Sequence, residues 1–527
     1  MLATQEIIMK TTDNLQNASL KDRIQTDVKT IFSSIDTKNA GYITPDQLWH
    51  SLESRGILRS DFRLRNIREK LSNATKTGQR ITPDKFQDIV QHTAIVKKAL
   101  TGDLVISDFF NFAEEMCNIF RETKEVRTGE VADYIPQLAR VDPDKFGFSV
   151  CTVDGQSFNF GDAQELFCLQ SSCKPINYCM VHDQLGEQKV HQHIGREPSG
   201  RSFNEMALNK DGLPHNPLIN SGAIMSCALL KPELDMSDRF EHVLKTWEEL
   251  SGGIRPSFNN SVYLSERKTA DRNFALAYFM SESKAFPENT NLVDTLEFYF
   301  QCCSIEVTAS AMANAASTLA NGGMQPQTGQ QIFDPNTVKN CLSLMNSCGM
   351  YDFSGEFAFT IGFPAKSGVS GALLIVIPNV MGIAIWSPRL DQHGNSVRGV
   401  EFCKKLTERF NFHNYDNLVN NGRKKDPRKK KFETKIDHVL ALIWAAANGD
   451  LDEIKRLEAL GVDLNAADYD GRTAMHLAAS EGQLEVVKYL VSRKTKADPI
   501  DRWGAAPVMD AKRGEYKEIV SFFEQVL

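Results

Sequence analysis

A serine and a lysine three residues apart are the first residues of this sequence that could carry chemistry. Ser171 and Lys174 stand in the run Gln-Ser-Ser-Cys-Lys-Pro, residues 170–175. Positions i and i+3 share a helix face, so the amine of Lys174 could reach the hydroxyl of Ser171. A lysine activates a serine only where burial or a nearby cation lowers its pKa. The same run is also compatible with a plain helix start, in which Ser171 is the N-cap and Pro175 lies in the first turn.

A second motif, a tripeptide further along the chain, also indicates acyl transfer. Lys366-Ser367-Gly368 directly precedes the apolar run from Val369 to Ile377. A Lys-Ser/Thr-Gly tripeptide that opens a strand, downstream of a Ser-x-x-Lys motif, is the arrangement of serine β-lactamases and penicillin-binding proteins. In that architecture the strand borders the nucleophile, and one of its backbone N–H groups helps to bind the tetrahedral oxyanion. Together the two motifs predict acyl transfer through a serine ester.

The length and composition of the chain require several domains around these motifs. The chain has 527 residues, 42% hydrophobic and 24% charged, which predicts two to four globular domains. The net charge of −7 gives no electrostatic footprint for nucleic acid. No apolar run reaches the roughly 18 residues of a membrane span, so none is predicted. Eleven cysteines without a Cys-x-x-Cys pair predict reduced thiols inside the cell and no metal site.

Residues 1–125 are predicted to form a helical, EF-hand-like domain. The phrase Ile-Thr-Pro-Asp occurs at residues 43–46 and again at 81–84, and each copy places a proline at a probable first helical position. The loop before the first copy resembles a calcium loop. Lys38 and Ala40, however, stand where a cation needs oxygen ligands. Calcium binding is therefore not expected.

The rest of the chain divides into a mixed region, a basic linker and a repeat tail. Short β-like runs and Ala-rich helical stretches predict an α/β catalytic domain over residues 126–420. Lysine and arginine crowd residues 421–435, predicted to be a solvated tether, with a nuclear-import or anionic-surface signal as the alternative. Residues 436–527 repeat with a period of about 33, and Thr-Ala-Met-His-Leu-Ala-Ala at 473–479 is close to the ankyrin phrase. His476 is accordingly predicted to staple a turn.

Further phrases of the middle region point to one family. They include Tyr-Ile-Pro-Gln-Leu at 134–138, Glu-Pro-Ser-Gly at 197–200, Asn-Ser-Gly-Ala-Ile at 220–224, Ser-Glu-Arg at 265–267, Asp-Arg-Asn at 271–273 and Cys-Gly-Met-Tyr-Asp-Phe-Ser-Gly at 348–355. These phrases resemble the glutaminase family, and the order of the regions resembles the animal kidney- and liver-type enzymes. The resemblance implies a β-lactamase/DD-peptidase-like catalytic domain between a helical N-terminal domain and an all-α ankyrin tail. It also implies hydrolysis of L-glutamine to L-glutamate and ammonia through a serine acyl-enzyme.

The resemblance also assigns roles to individual residues. Ser171 is implied as the nucleophile, Lys174 as its base and Tyr351 as a second proton-transfer partner. The oxyanion hole falls to the backbone N–H groups of Ser171 and Val369. The α-ammonium of glutamine needs a carboxylate, for which Glu266 is the match. The full substrate-binding set comprises Tyr134, Gln170, Asn220, Glu266, Asn273, Tyr299, Tyr351 and Val369.

The same resemblance implies a dimer of dimers, stimulation by inorganic phosphate, and no cofactor or metal. It implies a mitochondrial location, whereas the first twenty-five residues lack the composition of a transit peptide, which favours the cytoplasm. Two alternative functions remain open. One is a β-lactam- or peptide-processing serine hydrolase of the same fold, and the other is a non-catalytic scaffold whose ankyrin repeats bind a protein partner.

Overall fold

A computed structural model describes residues 31–527, apart from 34, 37, 77–79, 201–204, 420–423, 429–430 and 460–461. The chain divides into two compact units, with the boundary between Tyr415 and Asp416. Over these described ranges, no helix is both long enough and apolar enough to cross a membrane.

The N-terminal region of the first unit is helical, as predicted. Its helices are Pro45–Glu53, Arg65–Lys76, Pro83–Gln91, Ala94–Thr101 and Phe109–Lys124. Each copy of the repeated phrase starts a helix, and the hydroxyl of Thr44 accepts a hydrogen bond from the N–H of Gln47. Ile43 and Ile81 pair as an antiparallel bridge, so the two copies meet side by side.

The loop that resembles a calcium loop is closed by the side chain of Asp36. The carboxylate of Asp36 accepts hydrogen bonds from the N–H groups of Ala40 and Gly41, at 2.9 and 2.8 Å. These bonds hold the turn without a metal ion. They also occupy the carboxylate oxygens that a calcium ion would need as ligands. The absence of calcium binding stays a prediction.

The mixed region is built on a five-stranded antiparallel sheet. Its strands are β1 (Gly147–Thr152), β2 (Ser157–Gly161), β6 (Ala365–Gly368), β7 (Ala372–Ile377) and β8 (Met381–Trp386). They lie in the order β2-β1-β8-β7-β6. A small second sheet of order β3-β5-β4 is formed by β3 (Phe167–Cys168), β4 (Ser257–Phe258) and β5 (Ile305–Val307).

One detail of the strand prediction was wrong. The tripeptide at 366–368 does not open the apolar strand; it ends β6, and residues 369–371 turn the chain into β7. Gly371 has φ +88°, a left-handed conformation that favours glycine, so the turn could be placed there only with knowledge of the backbone.

Helices cover both faces of the main sheet. Those of the mixed region are Pro136–Ala139, Lys174–Leu185, Glu187–Val190, Asn220–Leu229, Met236–Leu250, Asn260–Lys268, Asp271–Glu282, Leu292–Cys303, Ala309–Ala320, Pro335–Cys348, Ser354–Thr360 and Val397–Arg409. Alternate residues of β7 enter two separate cores, Leu374 with helix Ala309–Ala320 and Ile375 with helix Val397–Arg409. The sheet therefore lies between two helical layers.

Helix Ala309–Ala320 lies unusually close to the sheet at Gly382 of β8. A Cβ atom on Gly382 would lie 2.2 Å from the backbone nitrogen of Ser317 and 2.6 Å from the carbonyl oxygen of Ala313. Because neither contact can be relieved by rotating a side chain, we expect Gly382→Ala to lower the free energy of unfolding by about 1–3 kcal/mol or more. A lower thermal melting temperature is the measurement.

Gly355 provides the matched control for this prediction. It lies on the exposed face of helix Ser354–Thr360, and a Cβ atom there would meet nothing within 4 Å. Gly355→Ala should therefore leave the melting temperature unchanged or raise it slightly, since alanine is the better helix former. Equal melting temperatures for Gly382→Ala and the wild type would contradict the close packing.

The second unit consists of helix pairs. Its helices are Asp416–Val419, Lys431–Asn448, Leu451–Ala459, Ala474–Ser480, Leu484–Ser492, Pro507–Arg513 and Lys517–Val526. Helix Lys431–Asn448 begins inside the segment predicted to be a linker. The Nδ1 atom of His476 accepts a hydrogen bond from the N–H of Thr473, and Nε2 lies 3.2 Å from the carbonyl oxygen of Ala505. His476 thus staples the turn at Thr473, as predicted, and it also contacts the following repeat at Ala505.

All eleven cysteines of the chain are free thiols, and every one is buried. Burial raises the pKa of several of them, Cys403 among these. A buried thiol with a raised pKa stays protonated and is a poor nucleophile. The cysteines therefore pack as small apolar side chains.

Candidate active site

Ser171 lies in a tight turn that leads directly into a helix. A 3-10 turn at Gln170–Cys173 precedes helix Lys174–Leu185, so the structure has a tighter start than a helix with Ser171 as its N-cap. Gln170 has φ +49°, a left-handed conformation that costs a non-glycine residue about 1–3 kcal/mol. N–H groups in the first turn of a helix lack intrahelical acceptors. The backbone N–H of Ser171 is thus placed to serve an anion.

Lys174 is buried next to the turn Gln170–Cys173, which we call the Ser171 turn. It is 1% exposed, and its Nζ donates to Oδ1 of Asn220 at 2.7 Å. Burial lowers the pKa of Lys174 to about 8. A substantial share of the side chain is therefore neutral near physiological pH. A neutral amine that donates to Asn220 keeps its lone pair, which is what a base for serine requires.

Asn220 links the lysine to two further residues of the implied set. Its Oδ1 also accepts from the hydroxyl of Tyr299 at 3.3 Å, and its Nδ2 donates to Oδ1 of Asn273 at 3.1 Å. Tyr299 lies on helix Leu292–Cys303 and is buried. The side-chain amide of Asn220 is fixed at both ends, and with it the direction in which Lys174 points.

Glu266 is a buried carboxylate that contacts the Ser171 turn through Gln170. Its Oε1 accepts from the hydroxyl of Tyr134 at 2.5 Å and from Nε2 of Gln170 at 3.0 Å. Burial raises the pKa of Glu266, and the charges that act on it include no basic side chain of the described residues. A buried carboxylate held only by neutral donors has no charge partner of its own, and such a partner would stabilise its ionised form.

Tyr351 lies between Ser171 and strand β6. Its hydroxyl donates to the carbonyl oxygen of Ser367 at 3.2 Å. Burial raises the pKa of Tyr351, so the phenol is neutral, and Ser171, acting as a donor to the phenol oxygen, lowers this pKa in part. Like Gln170, Tyr351 has a left-handed backbone, with φ +54°. Two strained residues therefore flank Ser171, as is common where function fixes the geometry.

The end of β6 lies directly against the Ser171 turn. A Cβ atom on Gly368 would lie 2.8 Å from the carbonyl oxygen of Leu169 and 3.3 Å from the nitrogen of Ser172. Only glycine permits this approach, which explains the third residue of the tripeptide. Val369 follows immediately in the chain.

A cavity of about 460 Å³ adjoins the ring of Tyr351. Its lining includes Pro198, Gly200, Asn216, Ile219, Cys348 and Asp352. Tyr351 belongs both to this cavity and to the hydrogen-bonded cluster around Ser171. The cavity therefore brings space for small molecules to the phenol.

One buried residue of the site was not assigned a role from the sequence. Lys366 is fully buried, and its Nζ lies 2.6 Å from the carbonyl oxygen of Ser367 and 4.5 Å from the ring centre of Tyr351. The tripeptide at 366–368 was the available signal. It pointed to the strand and its N–H groups, but gave no indication that the lysine is buried under a tyrosine.

Comparison with known proteins identifies the family to which this site belongs. A sequence model described as Glutaminase matches residues 129–415. The chain belongs to the glutaminase family. An EF-hand domain model matches residues 27–107, and an ankyrin repeat model of three copies matches residues 408–523 of this glutaminase. The predicted family and three-part architecture are confirmed, and glutamine hydrolysis is the activity of the chain.

Relatives of this glutaminase include both long and short proteins. The mitochondrial liver isoform of glutaminase from Rattus norvegicus is 43% identical over 90% of this chain and 80% of its own. A glutaminase of Trichormus variabilis is 41% identical over 62% of this chain and 97% of its own. The crystal structure of Mglu in its glutamate form shares 34% identity, with a TM-score of 0.54 over 57% of this chain and 68% of its own. The Trichormus variabilis protein thus corresponds to little more than the middle region of this chain.

Proposed function

We propose that this glutaminase cleaves the side-chain amide of L-glutamine through a γ-glutamyl ester on Ser171, with Lys174 as the base. The observation that carries the proposal is the buried Lys174, which contacts Asn220 and whose pKa is lowered to about 8, so that its neutral form is far easier to reach than for an exposed lysine. The phenol oxygen of Tyr351, to which the hydroxyl of Ser171 donates, supports a second path for the proton.

In the first half of the reaction, neutral Lys174 accepts the proton of Ser171 as its oxygen attacks the amide carbon. The negative charge that forms on the carbonyl oxygen is stabilised by the N–H groups of Ser171 and Val369, and such donors are typically worth about 10²–10³ in turnover each. The amide nitrogen then receives a proton from the lysine–tyrosine pair, the carbon–nitrogen bond breaks, and ammonia leaves.

In the second half, water replaces ammonia and the proton transfers run in reverse. Lys174, neutral again after it has given up its proton, accepts one from the attacking water. The tetrahedral intermediate collapses, the ester bond to Ser171 breaks, and the serine oxygen regains a proton from the same pair. Glutamate is released, and the site returns to its starting protonation state.

The amino-acid end of glutamine is proposed to contact residues of the two hydrogen-bonded groups around Glu266 and Asn220. Glu266 pairs with the α-ammonium, while Asn220, Asn273, Tyr299 and Tyr134 supply neutral hydrogen-bonding groups. The solved Mglu structure in its glutamate form, 34% identical to this chain, supports a site that accommodates glutamate.

The direct test is to compare amide substrates on the purified full chain. Ammonia release from L-glutamine should exceed that from L-asparagine, and nitrocefin should not be hydrolysed. A serine-linked γ-glutamyl adduct should be detectable by mass spectrometry after rapid acid quench. Nitrocefin hydrolysis without glutamine turnover would overturn the proposal in favour of a β-lactam-processing hydrolase.

Glu266→Gln is expected to raise KM for glutamine by about 30-fold or more, with a smaller change in kcat. The reason is that loss of one partner of a buried charge pair typically costs about 2–5 kcal/mol of binding. The substitution removes the charge, while the amide remains a hydrogen-bonding partner for Tyr134. Steady-state kinetics on glutamine provide the measurement.

Two comparisons sharpen this experiment. Glutaramic acid has the same amide but no α-ammonium, so Glu266→Gln should leave its kcat/KM nearly unchanged. Glu297 is a control carboxylate that is already paired with Arg267 at 2.6 Å, so Glu297→Gln should not raise KM in this way. A glutamine KM that is the same in Glu266→Gln and wild type would refute the assignment.

Further properties implied by the family are proposals as well. We propose a dimer of dimers, stimulation by inorganic phosphate and catalysis that needs no cofactor. A mitochondrial location is supported by the rat relative, which is named for that compartment. Light scattering and turnover with and without phosphate test assembly and stimulation, turnover after dialysis against EDTA tests the cofactor, and cell fractionation tests the location.

The ankyrin unit is proposed to bind a protein partner. Three aromatic side chains of this unit, Trp444, Tyr469 and Trp503, are mostly exposed. Exposed aromatic residues are the kind that dominate protein interfaces. Replacing all three by alanine should abolish partner capture while leaving glutamine turnover unchanged. Capture that survives these substitutions would contradict a role for the aromatic residues.

A further inference from the structure

We propose that Lys366 is a positioning residue for glutamine hydrolysis: by donating to the Ser367 carbonyl beneath the ring of Tyr351, it fixes the phenol where its hydroxyl meets Ser171. The inference rests on the proposed function, because it requires Tyr351 to take part in proton transfer. Lys366 itself would not touch the substrate.

The geometry gives Lys366 and Tyr351 a shared acceptor. The Ser367 carbonyl oxygen accepts from Nζ of Lys366 at 2.6 Å and from the hydroxyl of Tyr351 at 3.2 Å. The same Nζ lies 4.5 Å from the centre of the tyrosine ring. The lysine therefore contacts both the group to which the phenol is hydrogen-bonded and the face of the ring.

Tyr351 needs support of this kind because its own backbone is strained. Its φ of +54° is left-handed, and side-chain preferences of ordinary helices or strands do not apply there. The backbone is held by Ser354, whose hydroxyl donates to the Tyr351 carbonyl at 2.7 Å. The ring is held from the strand side, by Lys366 and the Ser367 carbonyl.

A fully buried lysine also calls for an explanation. Lysine is almost never fully buried unless it is paired, and the charges acting on Lys366 include no carboxylate of the described residues. Burial and the neighbouring Lys174 hold the pKa of Lys366 well below its usual value. A neutral amine can still donate to the Ser367 carbonyl, so its contribution is to place the phenol rather than to supply charge.

The test is a double-mutant cycle between Lys366 and Tyr351 in the full chain. Methionine matches the length of lysine without its donor, so we expect Lys366→Met to lower kcat about tenfold or more with little change in KM. In a Tyr351→Phe background the same substitution should cost nothing further, because the hydroxyl it positions is gone. The control Lys339→Met, at an exposed helix position, should leave kcat unchanged.

The alternative outcomes are distinguishable. Equal losses from Lys366→Met in both backgrounds, or unchanged kcat, would overturn the positioning role. A rising limb of the pH profile that moves by about one unit or more in Lys366→Met would also overturn it, since charge would then be the contribution. Should Lys366→Met not fold, Lys366→Leu, which also lacks the donor, enters the same cycle. Full activity of Tyr351→Phe would instead refute the proposed role of Tyr351.

Discussion

Ser171→Ala should abolish ammonia release from glutamine while the protein remains folded. The substitution removes the oxygen that forms the ester, and loss of the nucleophile in a serine hydrolase typically lowers kcat by about 10⁴–10⁶. Ser171 is a small residue in a turn, so alanine fits without a clash and the melting temperature should change little. Ammonia release and mass spectrometry of the quenched enzyme measure the effect, and the γ-glutamyl adduct should be absent.

The neighbouring serine is the matched control for this substitution. Ser172 is also buried, but its hydroxyl donates to the carbonyl oxygen of Leu169 at 2.5 Å inside the turn. Ser172→Ala loses one internal hydrogen bond, worth about 0.5–1.5 kcal/mol of stability, and should retain most of the turnover. Near-normal turnover of Ser171→Ala, or an adduct on Ser172, would end the proposed mechanism.

Lys174→Met is expected to have the second largest effect, a fall in kcat of about 10²–10⁴. Methionine has nearly the length of lysine and fills the buried space, so the loss reports the missing base rather than a cavity. Lys231, a residue outside the site, provides the control, and Lys231→Met should behave as wild type. Equal kinetics for Lys174→Met and Lys231→Met would show that serine is activated by another group.

The lowered pKa of Lys174 adds a pH dependence to this prediction. Because the amine must be neutral to accept a proton, kcat should rise with pH through about 8 and level off above it. The rise should vanish in Lys174→Met. The same pKa lies below the ordinary value of 10.5, so the unfolded chain binds more protons between these two pH values. This lysine therefore favours the folded state increasingly as pH rises from about 8 to 10.5.

The sequence was a good guide where a local pattern determines the structure. Prolines at 45 and 83 start helices, as predicted from the residues around them. Most of the apolar run at residues 369–377 forms the buried strand β7. The repeat near His476 forms stacked helix pairs. In each case, residues close in sequence specify the element.

The implied site residues also lie together, although they come from separate elements. Three different helices carry Asn220, Glu266 and Tyr299. Hydrogen bonds link each of these residues, directly or through Asn220, to Gln170 or Lys174 at the Ser171 turn. Their grouping came from resemblance to a family, since spacing alone could not bring them together. Which of them catalyse or bind substrate stays a prediction until the variants are made.

Other features of the site depend on tertiary packing and could not be read from local patterns. Lysine is usually exposed, and the burial of Lys366 results from the packing of β6 under Tyr351. The left-handed backbones of Gln170 and Tyr351 are unfavourable for their residue types, so propensity argues against them. The close approach that requires Gly368 becomes visible only when the strand and the turn are in place.

The burial of every cysteine makes the native enzyme a clean background for attaching spectroscopic probes. A thiol reagent such as Ellman's should give almost no colour with the folded protein and a full response after denaturation. A single cysteine introduced at an exposed position, such as Tyr469 at the surface of the ankyrin unit, would then be the site that a maleimide dye labels. Fluorescence from that dye would report encounters of the repeat unit with other proteins while glutamine turnover is followed in the same cuvette.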